Sequence, residues 1–432
     1  MRMFEYLLFN NRLGILDTRE TDYWQMIFRK ILKAGEEFEV QIPRNKDLHD
    51  VYSCLSRAFN PSHSAYHHGE YGIKEITQDG SVPHGAEIIT VGKRFDWNTF
   101  YSMNQHIIET FHEHEMYTSH HTGMHIHLLA GYNNDSTELE RNVPEIILAN
   151  FYQLHRIFAP ELYWISSGGK DDYAITRYVL FRRPPFDFSA VNTPMEVIRD
   201  EMNDKYGKYQ CLNMNPCRFR RREISVFHVE ARYPDTHLSP AVSTALVALE
   251  VALLHKAIEL SSCGIVAIKQ EEYDFKKEIF SKFVNLGTGD RESDSTELDS
   301  EDIENLQIRT SALIRWLKSE ICSLNVVAYE ILKKLAVTPS SLMRVNGMNW
   351  HQIDEKLYTP RLVDREKIDK LLEMLILQQI TDCPTENEWL RKASEKLSIP
   401  IEKATQLLRD LGAEKIVIFD DELGSYMFKA IA

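Results

Sequence analysis

The 432-residue sequence contains no run of eighteen apolar residues, so it offers no membrane span. Its six cysteines, at 54, 211, 217, 263, 322 and 383, form no C-x-x-C pair. That scatter suits reduced thiols and argues against zinc held by cysteine. The first residues, MRMFEYLLFNNRLG, lack a cationic stretch leading into an apolar core and a small-residue cleavage site. The expectation is therefore a cytoplasmic protein. Positive charge is also scarce: 50 Lys and Arg against 64 Asp and Glu give a net charge of −14, which argues against coating of nucleic acid. There is no fixed-period repeat and no G-x-G-x-x-G opening a helix. "SSGGKDD" (166–172) lacks the first glycine of a phosphate loop, and "FHEHEM" has Met116 where H-E-x-x-H needs its second histidine.

What remains is a chain long enough for two or three domains, with 43% hydrophobic residues to fill their cores. Residues 287–305 hold eight acids and one base, with almost nothing to bury, and read as an acidic linker. Residues 1–286 mix strands and helices as the main domain. Residues 306–360 read as a helical connector, and 361–432 as helices ending in a hairpin. The fold class expected is α+β.

Chemistry-bearing residues sit on the predicted strands. In "KAGEEFEVQIP" (33–43), Glu37, Glu39 and Gln41 share one face, while Phe38, Val40 and Ile42 take the core face. Two carboxylates at i and i+2 repel unless water or a cation lies between them, so the strand is either a solvent-facing edge or a cation site. "DGSVPHGAEIITVG" (79–92) places Asp79 in a turn and Glu87 on the strand after it. In "HHTGMHIHLLAG" (120–131), His125 and His127 share one face of an apolar strand, as ligands or as core histidines with satisfied partners. In "RFRRREISVFHVEARYPDTHLSP" (218–240), the strand is partly apolar on both faces. Burying Glu230 and Arg232 would cost several kcal/mol per charge unless they pair or serve a ligand. An almost wholly apolar helix follows Pro240.

Taken together, these pieces resemble the glutamine synthetase superfamily of carboxylate–amine ligases, nearest its smaller amidoligase branch. The resemblance runs through Glu37-Phe38-Glu39, then Asp79…Pro83-His84-Gly85-Ala86-Glu87, then Gly123-Met124-His125-Ile126-His127, then Glu230-Ala231-Arg232-Tyr233-Pro234-Asp235, over roughly residues 35–260. Asp79 stands where the family has glutamate, Leu238-Ser239-Pro240 stands where it has N-P-Y, and Asn213 matches a late Asn-rich element. The resemblance implies an antiparallel-sheet catalytic domain that forms an amide from a carboxylate and an amine. ATP would phosphorylate the carboxylate to an acyl phosphate, with Mg²⁺ or Mn²⁺ neutralising the phosphates.

On this resemblance, Glu37, His125 and Glu230 would hold metal near the nucleotide, and Glu39, Asp79 and Glu87 would hold metal nearer the substrate carboxylate. Arg232, with Glu230, would act catalytically on the transferring phosphoryl group, since a guanidinium grips phosphate through two hydrogen bonds. Arg218, Arg220 and Arg222 would reach ATP, or else form a solvated basic cluster. His127 and Arg177 would meet the substrate, which could be a small molecule, a peptide or a protein. The tail resembles a winged-helix domain. Lys403, Gln406 and Arg409 face outward on its would-be recognition helix, but with 14 acids and 11 bases over 361–432 it suits protein docking better than DNA. A competing function is a ligand-sensing regulator with a ligase-like body and a docking or DNA-binding tail.

Overall fold

The computed structural model describes residues 7–61 apart from 12–13, and 72–132 apart from 79, 81 and 120. It further describes 139–168, 211–279 apart from 221–222, 270, 273 and 277, then 300–358, 386–397, 405, 417–420 and 425–428. The chain divides into two compact units, Met1–Tyr358 and Thr359–Ala432.

The described strands of the first unit are β1 (Leu7–Asn10), β2 (Lys33–Gln41), β3 (Ile73–Thr77), β4 (Gly85–Thr90), β5 (Met124–Ala130), β6 (Val143–Pro144), β7 (Leu212–Asn213), β8 (Arg218–Arg220), β9 (Glu223–Ala231) and β10 (Ile265–Ile268). Its helices are α1 (Thr18–Ile31), α2 (Leu48–Phe59), α3 (Trp97–Glu113), α4 (Glu145–Ile157), α5 (Ala159–Ile165), α6 (Pro240–Leu260), α7 (Ser300–Trp316), α8 (Lys318–Leu324), α9 (Val326–Val337), α10 (Ser340–Val345) and α11 (Trp350–Leu357). The expected mixture of helix and antiparallel sheet is what the chain forms.

One large sheet has the order β3-β4-β2-β5-β9-β6, with β7 and β8 also paired to β9, every pairing antiparallel. Side chains alternate along each strand. Phe38, Val40, Ala86, Ile88, Met124, Ile126, Leu128 and Val229 therefore share one face, and all are buried. Helices cover that face: Phe28 of α1 meets Phe227 edge-on at 5.3 Å, and Phe111 of α3 meets Phe38 at 6.4 Å. Burying this many large apolar side chains fixes the register, because a one-residue slip would turn the whole set outward.

Behind the sheet runs α6, 21 residues long and apolar all round. By length and mean hydropathy (1.6) it could cross a membrane, although no strictly apolar run in the sequence signals this; here the helix is buried along its whole apolar window. Ser239 caps it by accepting from the Val242 N–H. Its buried acid, Glu250, lies 2.9 Å from His155 of α4 and accepts from the Tyr233 hydroxyl. That contact ties the segment just beyond β9 to the core helix. The helices over 300–358 pack in the same unit as the sheet, and α7 begins inside the stretch read as an acidic linker.

A turn over Pro83, His84 and Gly85 launches β4. His84 takes the left-handed conformation (φ 56°), and its carbonyl accepts from Ile42 at 2.9 Å. At Gly85 a side chain would sit 2.5 Å from the Val40 carbonyl, so only glycine lets the turn close against β2. The Tyr52 hydroxyl of α2 lies within hydrogen-bonding distance of the Thr77 and Gly85 carbonyls, at 3.0 and 2.9 Å, tying β3 to β4.

In the second unit, the described elements are α12 (Glu386–Leu397), β11 (Val417–Asp420) and β12 (Ser425–Phe428). The strands pair antiparallel, Asp420 opposite Ser425, which is the hairpin expected at the end of the tail. Lys403, Gln406 and Arg409 lie outside the described residues.

Candidate active site

Four neighbouring strands present their acids and imidazoles on the face opposite the helices. β2 carries Glu37 and Glu39, β4 carries Glu87, β5 carries His125 and His127, and β9 carries Glu230. Glu39 stands opposite Glu87, Glu37 opposite His125, and His127 opposite Glu230. Directly opposed residues project to the same side of a sheet, so the register gathers the cluster. The edge-strand reading of β2 is excluded: β2 lies between β4 and β5, and Glu39 is fully buried.

The contacts are close. His125 Nδ1 is 3.1 Å from Glu37 and 3.2 Å from Glu230, and its Nε2 is 3.8 Å from Glu39. His127 Nε2 is 3.1 Å from the other oxygen of Glu37. Arg232 pairs with Glu230, and the Asn213 amide donates to the second Glu230 oxygen at 2.6 Å. The Gly123 N–H donates to Glu39 at 2.7 Å. The histidines are thus cluster members, not isolated core residues.

Charge explains the protonation pattern. Burial pushes the Glu37 carboxyl up, but hydrogen bonds from His125 and His127, with their charges, outweigh it and hold the group well below the usual carboxylate range. Glu230 is likewise raised by burial and brought below its ordinary value by His125, Arg232 and His127. Burial lowers His127, and its hydrogen bond to Glu37 overcomes this, leaving the imidazole raised. Contacts with the histidines therefore offset the burial of Glu37 and Glu230. Glu36, just before Glu37 in sequence, belongs to the other face: burial pushes it up to about 8, against an opposing hydrogen bond from Asn104 at 3.0 Å.

Some site residues were not singled out by sequence reasoning. His228 sits 3.0 Å from His127, and the Tyr132 hydroxyl hydrogen-bonds the other ring nitrogen of His228. Burial and the neighbouring His127 charge push His228 down to about 4. His228 alternates in phase with Glu230, a signal available in sequence, whereas Tyr132 lies beyond β5 and carries none. Arg218 is exposed on β8 opposite Val226, and Arg220 stands opposite Glu223, both toward the end of β9 away from Glu230. Asp79, Arg177 and Arg222 lie outside the described residues.

The residues fit a hard divalent cation. Glu37, Glu87 and His125 bring three possible ligand atoms within 4.8 Å of one another, and so do Glu37, His127 and Glu230. Carboxylate oxygens with an occasional imidazole suit Mg²⁺ or Mn²⁺.

No family model and no curated protein matches the sequence. Among solved structures, the chain is similar to a bifunctional glutathione synthetase from Pasteurella multocida, at 11% identity and a TM-score of 0.43, over 80% of this chain and 54% of that one. It is also similar to the complex between prokaryotic ubiquitin-like protein Pup and its ligase PafA, at 10% identity and a TM-score of 0.34, over 94% of this chain and 90% of that one. The chain thus spans about half the length of the first. One neighbour is named a synthetase and the other a ligase, but likenesses this distant carry no functional argument.

Proposed function

We propose that the chain is an ATP-dependent carboxylate–amine ligase. One observation carries the reading: carboxylates from β2, β4 and β9 converge with two imidazoles of β5 on one sheet face, beside an arginine. A buried cluster of this charge is costly unless cations share it.

In the reaction, a substrate carboxylate oxygen attacks the γ-phosphorus of ATP and ADP departs. The amine nitrogen then attacks the acyl phosphate, forming the C–N bond as phosphate leaves and the amine gives up a proton. Divalent cations supply charge neutralisation on the phosphate oxygens. Glu37, His125 and Glu230 would hold the ion nearer the nucleotide, and Glu39 and Glu87, with Asp79, the ion nearer the carboxylate. Arg232 would grip the transferring phosphoryl group, while Asn213 holds Glu230 from its other oxygen. The C-terminal unit would dock a protein in preference to DNA.

The test is thermal denaturation with ATP, with Mg²⁺ and with both. ATP plus Mg²⁺ should stabilise more than either alone, because a ligand specific to the folded state stabilises it by mass action. The metal-dependent increment should shrink from pH 8 to pH 6 as protons reclaim the imidazoles. Equal shifts with and without metal would sink the proposal.

A further inference from the structure

A file of polar groups leaves the acid cluster along the site face and ends at Tyr132. His127 Nε2 stands 3.1 Å from Glu37, His127 Nδ1 stands 3.0 Å from His228 Nε2, and His228 Nδ1 meets the Tyr132 hydroxyl. His228 lies opposite Leu129 and His127 opposite Glu230, so the two imidazoles are diagonal neighbours on one face of β5 and β9. Gly131, just before Tyr132, lies close against β9: its φ is 92°, and a side chain there would sit 2.6 Å from the Ser225 carbonyl. His228 and Tyr132 make no other side-chain hydrogen bond among the described residues.

Each link of the file has one direction. A carboxylate only accepts, so a neutral His127 facing Glu37 carries its hydrogen on Nε2. Its Nδ1 is then bare and accepts from the His228 Nε2–H, which leaves His228 Nδ1 bare to accept from the Tyr132 hydroxyl. The opposite direction would set a His127 lone pair against the Glu37 carboxylate. A ring nitrogen that carries hydrogen cannot bind a metal ion.

We infer that Tyr132 and His228 are positioning residues that hold the His127 hydrogen on Nε2, so that His127 donates into the site and stays out of metal coordination. This rests on the metal site of the ligase reading and adds ion selectivity to it. One imidazole, that of His125, remains among the carboxylates, which suits Mg²⁺ better than nitrogen-seeking ions such as Ni²⁺. Glu37, His127 and Glu230, although close enough to share an ion, then form no centre of their own. Without the Tyr132 hydroxyl the reversed file gains weight, with hydrogen on Nδ1 of both rings and the total number of hydrogens on the rings unchanged. His127 Nε2 then becomes a ligand.

The experiment compares the full chain with Tyr132→Phe at about pH 8.5. Tyr132 is half-buried just past a strand end, so its hydroxyl can be removed without opening the core. Nitrogen NMR of the metal-free wild type should show the His127 hydrogen on Nε2, the signal being assigned by its loss in His127→Gln. Calorimetric titration should show Tyr132→Phe binding Ni²⁺ about fivefold more tightly than wild type, the worth of one hydrogen bond, with Mg²⁺ affinity unchanged within about twofold. In a His127→Gln background the same substitution should gain nothing for Ni²⁺. Hydrogen on Nδ1 of His127 in the wild type overturns the inference, as does an unchanged ratio of Ni²⁺ to Mg²⁺ affinity in Tyr132→Phe. Failure of the wild type to bind Mg²⁺, alone or with a non-hydrolysable ATP analogue, would instead remove the ligase reading, and the inference with it.

Discussion

Glu230 is held from three sides, by Arg232, His125 and Asn213, and is 5% exposed. A purely structural ion pair and a metal ligand make different demands on such a residue. Glu230→Gln keeps the shape and removes the charge, so it should weaken Mg²⁺-dependent ATP binding by about tenfold or more. The free fold should hold or gain stability as carboxylate repulsion falls. Arg232→Lys keeps charge but loses the two-pronged grip. It should spare ATP binding and depress turnover by roughly a hundredfold, as expected for an interaction strongest in the transition state. If the two form only a structural pair, both variants should melt earlier by similar amounts and bind metal and nucleotide normally. Melting curves and nucleotide titrations on both proteins decide between these outcomes. The acids of this site were legible because period two is visible in a sequence. Glu37, Glu39, Glu87, His125 and Glu230 each alternate with apolar neighbours that had to face the core. What was not legible is cross-strand distance: nothing in the sequence says that Tyr132 and His228 touch, or that Glu36 meets Asn104.

At the scale of elements, α6 shows why composition alone misplaces a helix. Its apolar girth was readable after Pro240. Whether it lies inside a protein or a bilayer depends on neighbours, and here α1, α3, α4, α8, α9 and α11 surround it. The same burial makes it sensitive to acid. His255, near its end, donates from Nδ1 to the Gln25 carbonyl oxygen at 2.7 Å, and the Gln25 amide donates to the His255 carbonyl at 2.6 Å. Burial first, and the charge of Arg29 second, push His255 down to about 4 from 6.5. A depressed folded pKa means that the unfolded chain binds the proton first. The contribution of His255 is therefore present above pH 6.5 and lost as pH falls through 4. His255→Asn keeps a donor to Gln25 but cannot take up a proton. Urea unfolding should show the variant less stable at pH 7, with the gap to wild type narrowing by on the order of 3 kcal/mol toward pH 4. A gap independent of pH would mean that His255 does not titrate between the two states.

For the whole molecule, the boundary between Tyr358 and Thr359 separates two compact units. Every described residue of the candidate metal site lies before it, as do the helices that cover the sheet and the Asp354 carboxylate, which accepts from the Ala241 N–H at the start of α6. That last contact ties the far end of the first unit to its central helix. Truncation before Asp354 would therefore expose the helix start, whereas truncation after Tyr358 keeps every described element of the first unit in the chain. A chain of residues 1–358 should fold cooperatively and keep the stabilisation by ATP plus Mg²⁺ unchanged within twofold in affinity. A chain of residues 1–349, lacking α11, should melt earlier, because the Asp354 hydrogen bonds to Ser239 and Ala241 and the packing of Trp350 and Ile353 go with it. Melting curves of the two truncations with and without nucleotide provide the measurement. If 1–358 loses nucleotide binding while remaining folded, the second unit contributes to the site, and the assignment of the site to one face of one sheet fails.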